Sequence, residues 1–166
     1  MGKSGELSHT LLFCVTDLTM AKFKGHSINS VDSKGRIAIP AKMRGVLNPA
    51  AKGSFTITRG FENCIFLYPL DEWEKREEEF EKLNMYERKS RDFLRSVMMW
   101  AEEVSLDAQG RIGIPKSLGE FAMITDKVRI MGSLDHIEIW APDVFKKYMD
   151  GQLVDYETLA ESVMGK

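Results

Sequence analysis

The sequence predicts a β-rich α+β fold built from one small module present twice. Three observations carry this reading. First, Ser30-Val31-Asp32-Ser33-Lys34-Gly35-Arg36-Ile37-Ala38-Ile39-Pro40 is echoed by Ser105-Leu106-Asp107-Ala108-Gln109-Gly110-Arg111-Ile112-Gly113-Ile114-Pro115, with Asp, Gly, Arg, both Ile and Pro at the same spacing. Second, Gly60 to Tyr68 aligns with Gly132 to Trp140, and each block leads into a helix start, Asp71 and Trp73 being answered by Asp143 and Phe145. Third, strand-like alternation in His136-Ile137-Glu138-Ile139-Trp140 contrasts with helical spacing between the copies. The repeating unit is about 50 residues long, with a small deletion in the middle loop of the second copy.

Each unit reads the same way. A short strand ends at Asp32 or Asp107. Asp-x-x-Gly is turn chemistry, since the carboxylate accepts backbone N–H bonds and Gly35 or Gly110 tolerates positive φ. Arg-Ile-x-Ile then forms a strand with both Ile on one face. Pro40 and Pro115 end that strand and suit the first turn of a helix, expected over Ala41 to Leu47 and Lys116 to Phe121. Two further strands follow in each copy, Ser54 to Thr58 with Cys64 to Tyr68, and Val128 to Met131 with Ile137 to Trp140. Leu70, Trp73, Glu77, Phe80 and Leu83 make a helical stripe broken by Glu77, and Phe93, Leu94, Val97, Met98, Trp100 and Ala101 make a second. Both stripes read as packing faces, and Tyr156 to Val163 reads as a last helix. The expected organisation is a leader or non-native extension over 1–19, module one over 22–72, connecting helices over 73–100, module two over 101–147 and a C-terminal helix or tail over 148–166.

Several function classes are disfavoured. No apolar run reaches the roughly 18 to 20 residues of a membrane span. Leu11 to Val15 is too short for a signal peptide, and Asp17 closes it without a small-residue cleavage site. Cys14 and Cys64 are the only cysteines, so neither a disulfide framework nor a Cys/His zinc site is expected, and reduced thiols suit a cytoplasm. His9, His26 and His136 lack partners at catalytic spacing. No P-loop, dinucleotide fingerprint, zinc-protease motif or nucleophile elbow is present, so an enzyme is not expected. No cofactor and no metal are expected.

The formal net charge is −2, yet the distribution is uneven. Between Met20 and Gly60 stand Lys22, Lys24, Lys34, Arg36, Lys42, Arg44, Lys52 and Arg59, with Asp32 the only acid. Acids collect on the helix from Asp71 to Glu81. A local basic face attracts phosphates within a Debye length of about 8 to 10 Å, whatever the net charge.

Phe23-Lys24-Gly25 leading into Asp32-Ser33-Lys34-Gly35-Arg36-Ile37-Ala38-Ile39-Pro40-Ala41-Lys42-Met43-Arg44, with the Asp107-to-Pro115 copy behind it, resembles the MraZ family of tandem SpoVT-AbrB modules. The similarity spans about Lys22 to Asp150. It implies swapped-hairpin β-barrels, the two modules of one chain combining as a pseudo-dimer. It implies ring-shaped homo-oligomers, octamer or dodecamer, in a cytoplasmic, nucleoid-associated regulator of transcription with no membrane partner. The implied partner is DNA, as promoter repeats upstream of its own operon in the division and cell-wall gene cluster. The family's Asp-x-x-x-Arg element falls on Asp32 to Arg36 and on Asp107 to Arg111.

Elementary chemistry agrees with that implication. The planar fork of Arg pairs bidentately with guanine or phosphate, and a two-stranded ribbon fits the major groove. Lys34, Arg36 and Arg111 are the candidate DNA contacts, with Lys22, Lys24, Lys42 and Arg44 as phosphate contacts. Asp32, Gly35, Asp107 and Gly110 are expected to build the turns. For Arg36 a DNA contact is favoured over an internal ion pair; for Arg111 both readings stand, because Gln109 replaces Lys34 and Glu120 lies nearby. A protein-interaction module, antitoxin-like or a scaffold, is the competing function.

Overall fold

Residues 21–165 are described by a computed structural model. The leader over 1–19, with Cys14 and His9, lies outside them. The chain runs β1 (His26–Ser30), β2 (Arg36–Ala38), α1 (Ala41–Arg44), a 3-10 turn (Pro49–Ala51), β3 (Ser54–Arg59), β4 (Ile65–Pro69), α2 (Leu70–Glu81) and α3 (Arg88–Met98). The second half repeats the pattern with β5 (Glu102–Ser105), β6 (Arg111–Gly113), α4 (Lys116–Phe121), β7 (Lys127–Ser133), β8 (His136–Trp140) and α5 (Pro142–Asp150), then adds α6 (Tyr156–Met164). Among the described residues, no helix is long and apolar enough to cross a membrane.

The α+β class is as expected, and the copies exchange strands. One antiparallel sheet has the order β1-β7-β8-β4-β3-β5, and a separate two-stranded ribbon pairs β2 with β6. The strand entering each turn crosses to the other copy: β1 pairs with β7, and β5 with β3. A local two-fold relation follows from the register, since equivalent residues Ile37 and Ile112 face each other, as do Phe66 and Glu138. Neither copy completes its sheet alone.

The core lies between sheet and ribbon. Strand alternation sends Ile37, Ile39 and Ile112 inward to meet Phe55, Ile57, Ile65, Leu67, Val128, Ile130, Ile137 and Ile139. Met43 of α1 and Leu118 of α4 plug equivalent positions. Each fully buried Ile or Leu contributes about 1.5 to 3 kcal/mol by leaving water. The helix expected to reach Leu47 stops at Arg44. Gly45 is a poor helix former, and Pro49 biases Asn48 away from helical backbone, so the chain continues in loose turns instead. Pro40 and Pro115 also sit one residue earlier than a first-turn position, extended at ψ 135 and 136, and act as the caps themselves.

The other face of the sheet carries Cys64, Phe66, Tyr68 and Trp140, covered by Trp73 and Phe80 of α2, Val97 of α3 and Phe145 of α5. Glu77 interrupts the α2 stripe because its carboxylate accepts from Trp73 Nε1 at 2.7 Å. Cys64 is fully buried, and burial pushes its thiol up to about 12. By contrast α3 buries no residue completely and leaves Phe93, Met98 and the capping Met99 exposed.

His136 takes a packing role, with carboxylates beside it. Its Nδ1 lies 2.7 Å from Asp135 and its Nε2 3.7 Å from Glu138, while the ring packs at a tilt against both Phe66 and Tyr68. Arg76 of α2 pairs with the same Asp135 and lies over Tyr68. Burial pulls the imidazole pKa down, but the Glu138 and Asp135 carboxylates outweigh it and leave it raised. A raised folded pKa contributes stability that is complete below the unfolded value of about 6.5 and lost as pH climbs through the folded value. The melting temperature should therefore fall as pH rises through that window, and His136→Gln should flatten the slope. An equal pH slope in both proteins would count against the clamp.

Candidate nucleic-acid interface

The β2–β6 ribbon brings the two Asp-x-x-Gly-Arg segments together. Asp32 Oδ1 accepts from the backbone N–H of Lys34 and of Arg36, each at 2.9 Å. Asp107 Oδ1 accepts from Gln109 and Arg111 at the same distance. Gly35 and Gly110 close these turns at φ 74, a left-handed conformation that favours glycine. Each turn is tied across the ribbon, Ile39 N–H donating to the Gly110 carbonyl at 2.9 Å and Ile114 N–H to that of Gly35 at 3.0 Å.

The outer face of the ribbon follows from its register. Arg36 stands opposite Gly113, and Arg111 opposite Ala38, so each arginine has a small neighbour across the pair. Ile37 and Ile112 point the other way, into the core. Arg36 Nε donates to Asp32 Oδ2 at 2.8 Å, and its Nη1 lies 3.9 Å from Asp107. Arg111 repeats this with Asp107 at 2.9 Å and Asp32 at 3.5 Å. Both aspartates are held below the usual carboxylate range, first by the backbone N–H of Arg36 or Arg111 and then, against burial, by the guanidinium. The result is a closed quartet of two acids and two arginines in which each arginine holds its own aspartate through Nε. Such a grip sets guanidinium direction in advance of any ligand.

This arrangement changes the comparison between copies. Arg36 and Arg111 have side-chain exposures of 31% and 28% and the same set of partners. The asymmetry lies around them. Lys34, Lys42 and Arg44 of the first copy align with Gln109, Ser117 and Gly119 of the second. Lys34 and Lys42 are exposed, and neither is recorded in an ion pair among the described residues. Arg44 Nε donates to the Ile39 carbonyl at 3.0 Å, and its guanidinium covers Gly110. Lys22 and Lys24 are not part of this group. They precede the far end of β1, a strand roughly 16 Å long, and border a hollow with Leu134 and Asp135. The aligned pair Arg44 and Gly119 was the sequence signal for the unequal covering of the two turns.

A Cβ at Gly110 would lie 2.6 to 2.8 Å from the Arg44 guanidinium, whereas one at Gly35 would meet only the Ile114 carbonyl at 3.9 Å. Gly35→Ala should therefore cost about 1 to 2 kcal/mol for the left-handed backbone alone. Gly110→Ala should cost more, because Arg44 must also leave its place. Equal losses in denaturant unfolding would contradict this packing.

The matches to known proteins agree with the duplicated architecture. The family model described as "MraZ protein, putative antitoxin-like" matches twice, over residues 23–96 and 97–162. A transcriptional regulator MraZ of Clostridium tetani is 38% identical over 141 residues, covering 85% of this chain and 96% of its own. One from Natranaerobius thermophilus is 37% identical over 142 residues, 86% and 96% of the two chains. Another from Flavobacterium psychrophilum is 37% identical over 136 residues, 81% and 87%. With both halves matched and the sequence shared almost end to end with these relatives, the chain belongs to the MraZ family.

Proposed function

We propose that this protein is a transcription regulator, the role its relatives are named for, and that it binds DNA through the outer face of the β2–β6 ribbon. The observation that carries this reading is the quartet of Asp32, Arg36, Asp107 and Arg111, which aims two pre-set guanidinium groups from a two-stranded ribbon. A ribbon of that width enters a major groove, where an Arg fork reads guanine, while Lys34, Lys42 and Arg44 beside it contact phosphates. Lys22 and Lys24 are outlying phosphate contacts, with Lys24→Ala lowering the salt slope less than Lys34→Ala. The modules over 22–72 and 101–147 act as one reading unit because their strands are exchanged.

A single ribbon covers few base pairs. Assembly into a ring, octamer or dodecamer, would present many ribbons to repeated promoter boxes and raise avidity by roughly 10² to 10⁴. Apolar side chains left exposed on α3 and α6, among them Phe93, Met98, Val163 and Met164, support self-association. The target is the promoter of the protein's own operon in the division and cell-wall gene cluster, which places it at the nucleoid in the cytoplasm. Competition between duplexes tests the reading. DNA from upstream of its own gene, carrying several boxes, should outcompete both a shuffled duplex and a single box. Equal affinity for the upstream and shuffled duplexes would reject sequence-specific binding.

The words "putative antitoxin-like" in the family description, with the exposed apolar edge of α3, favour one second reading, a protein-interaction module. Co-purification of one stoichiometric partner, unaffected by Arg36→Ala, would support that reading over the first.

A further inference from the structure

We infer that Arg44, although it belongs to the first copy, serves the second copy's turn, supplying the phosphate-binding cation that Gln109 does not. The inference rests on the DNA-binding reading and assigns one residue within it to the duplex backbone. In the first turn the position two residues after Asp32 is Lys34, exposed beside a half-buried Gly35 that no side chain covers. The equivalent position after Asp107 is Gln109, which has no charge. Strand exchange places the chain that follows β2 beside that second turn, because Ile39 N–H donates to the Gly110 carbonyl. Arg44, one helical turn further on, folds back onto Ile39 and lays its guanidinium over Gly110. Gly110 is buried as a result, whereas Gly35 is not.

The mirror position has no such device. The residue equivalent to Arg44 is Gly119, beside the turn that already carries Lys34. Beside its quartet arginine, each turn thus has one further cation, from its own copy at Lys34 and from the other copy at Arg44. Arg44 is exposed and forms no recorded ion pair with a carboxylate among the described residues, so its charge is available to a phosphate. Its bond to Ile39 uses Nε, Nη1 lies over Gly110, and among the described residues neither terminal nitrogen makes a hydrogen bond. A Gly110 without Cβ is what allows the guanidinium to lie this close.

The test is salt-dependent binding to a duplex from the upstream region, read as the slope of log affinity against log salt. Arg44→Gln should reduce the slope by about one unit per engaged chain. Arg44→Gln with Gln109→Lys should restore it, while leaving uncorrected whatever thermal stability Arg44→Gln loses. Restoration of binding without restoration of stability is the signature of a charge, since a packing role would not respond to a lysine at 109. Gln109→Glu, which keeps Arg44 in place, should also flatten the slope. An unchanged slope in Arg44→Gln, a loss that Gln109→Lys leaves unrepaired, or an inert Gln109→Glu would each overturn the inference. Failure of the wild type to bind any duplex would overturn the DNA-binding reading itself, a separate and recognisable result.

Discussion

Arg36→Ala and Arg111→Ala are each expected to weaken binding to the protein's own upstream DNA by about 1 to 3 kcal/mol per engaged site, roughly 5- to 150-fold. The two losses should be similar. Both guanidinium groups are held through Nε by their own aspartate, lean toward the other copy's aspartate and stand opposite a small residue. The variants should remain folded. Asp32 and Asp107 each keep two backbone N–H donors when the arginine is gone, and partly exposed ion pairs contribute little to stability. Fluorescence anisotropy with circular dichroism on the same samples separates binding from folding. A folded Arg36→Ala protein with unchanged affinity would remove the ribbon from consideration as the contact. A loss confined to Arg36 would mean that the near-symmetry of the quartet does not extend to its use.

The second large effect concerns stability. Ile112→Ala is expected to destabilise the protein by about 2 to 5 kcal/mol, and Ile37→Ala by a similar amount. These residues are 1% exposed, face each other across the ribbon and close the core against the sheet. A truncation here leaves a hole shared by both copies, so the double variant should lose less than the sum of the singles. Denaturant unfolding checks both points. A loss below about 1 kcal/mol for either single variant would show that the ribbon is not packed as described.

Much of this architecture was legible in the residues themselves. Asp-x-x-Gly followed by Arg-Ile-x-Ile carries turn chemistry and period-two burial in one short phrase, and its repetition announced two equivalent units. The α4 limits, Lys116 and Phe121, follow from an apolar pair flanked by Pro115 and the Ala122-Met123 turn. Helix ends were less legible. In Ala41 to Leu47 the stop signal was Gly45, a poor helix former, which the expectation of a helix to Leu47 overlooked.

The site was read in its parts, not in its assembly. Arg36 is an arginine four residues after an aspartate, which any reading of the sequence finds. Its approach to Asp107 depends on β2 meeting β6, a contact between segments 75 residues apart in register. Strand exchange is a topological choice that local patterns do not encode. The same holds for His136, whose neighbours Asp135 and Glu138 are adjacent in sequence but become a clamp only because Phe66, Tyr68 and Arg76 close around it. Lys22 and Lys24 illustrate a distance that the sequence hides. They were expected to touch phosphates alongside Lys42 and Arg44, and an extended β1 sets them a strand length from the Asp32 turn.

The most direct test is amide hydrogen exchange of the full chain with and without a duplex from its upstream region. Slowed exchange is predicted in segments 30–40 and 105–115 together, with α5 unchanged. Protection confined to α3 and α6, or protection of neither ribbon segment in a sample that binds the duplex, would contradict the assignment of the ribbon as the DNA-binding face.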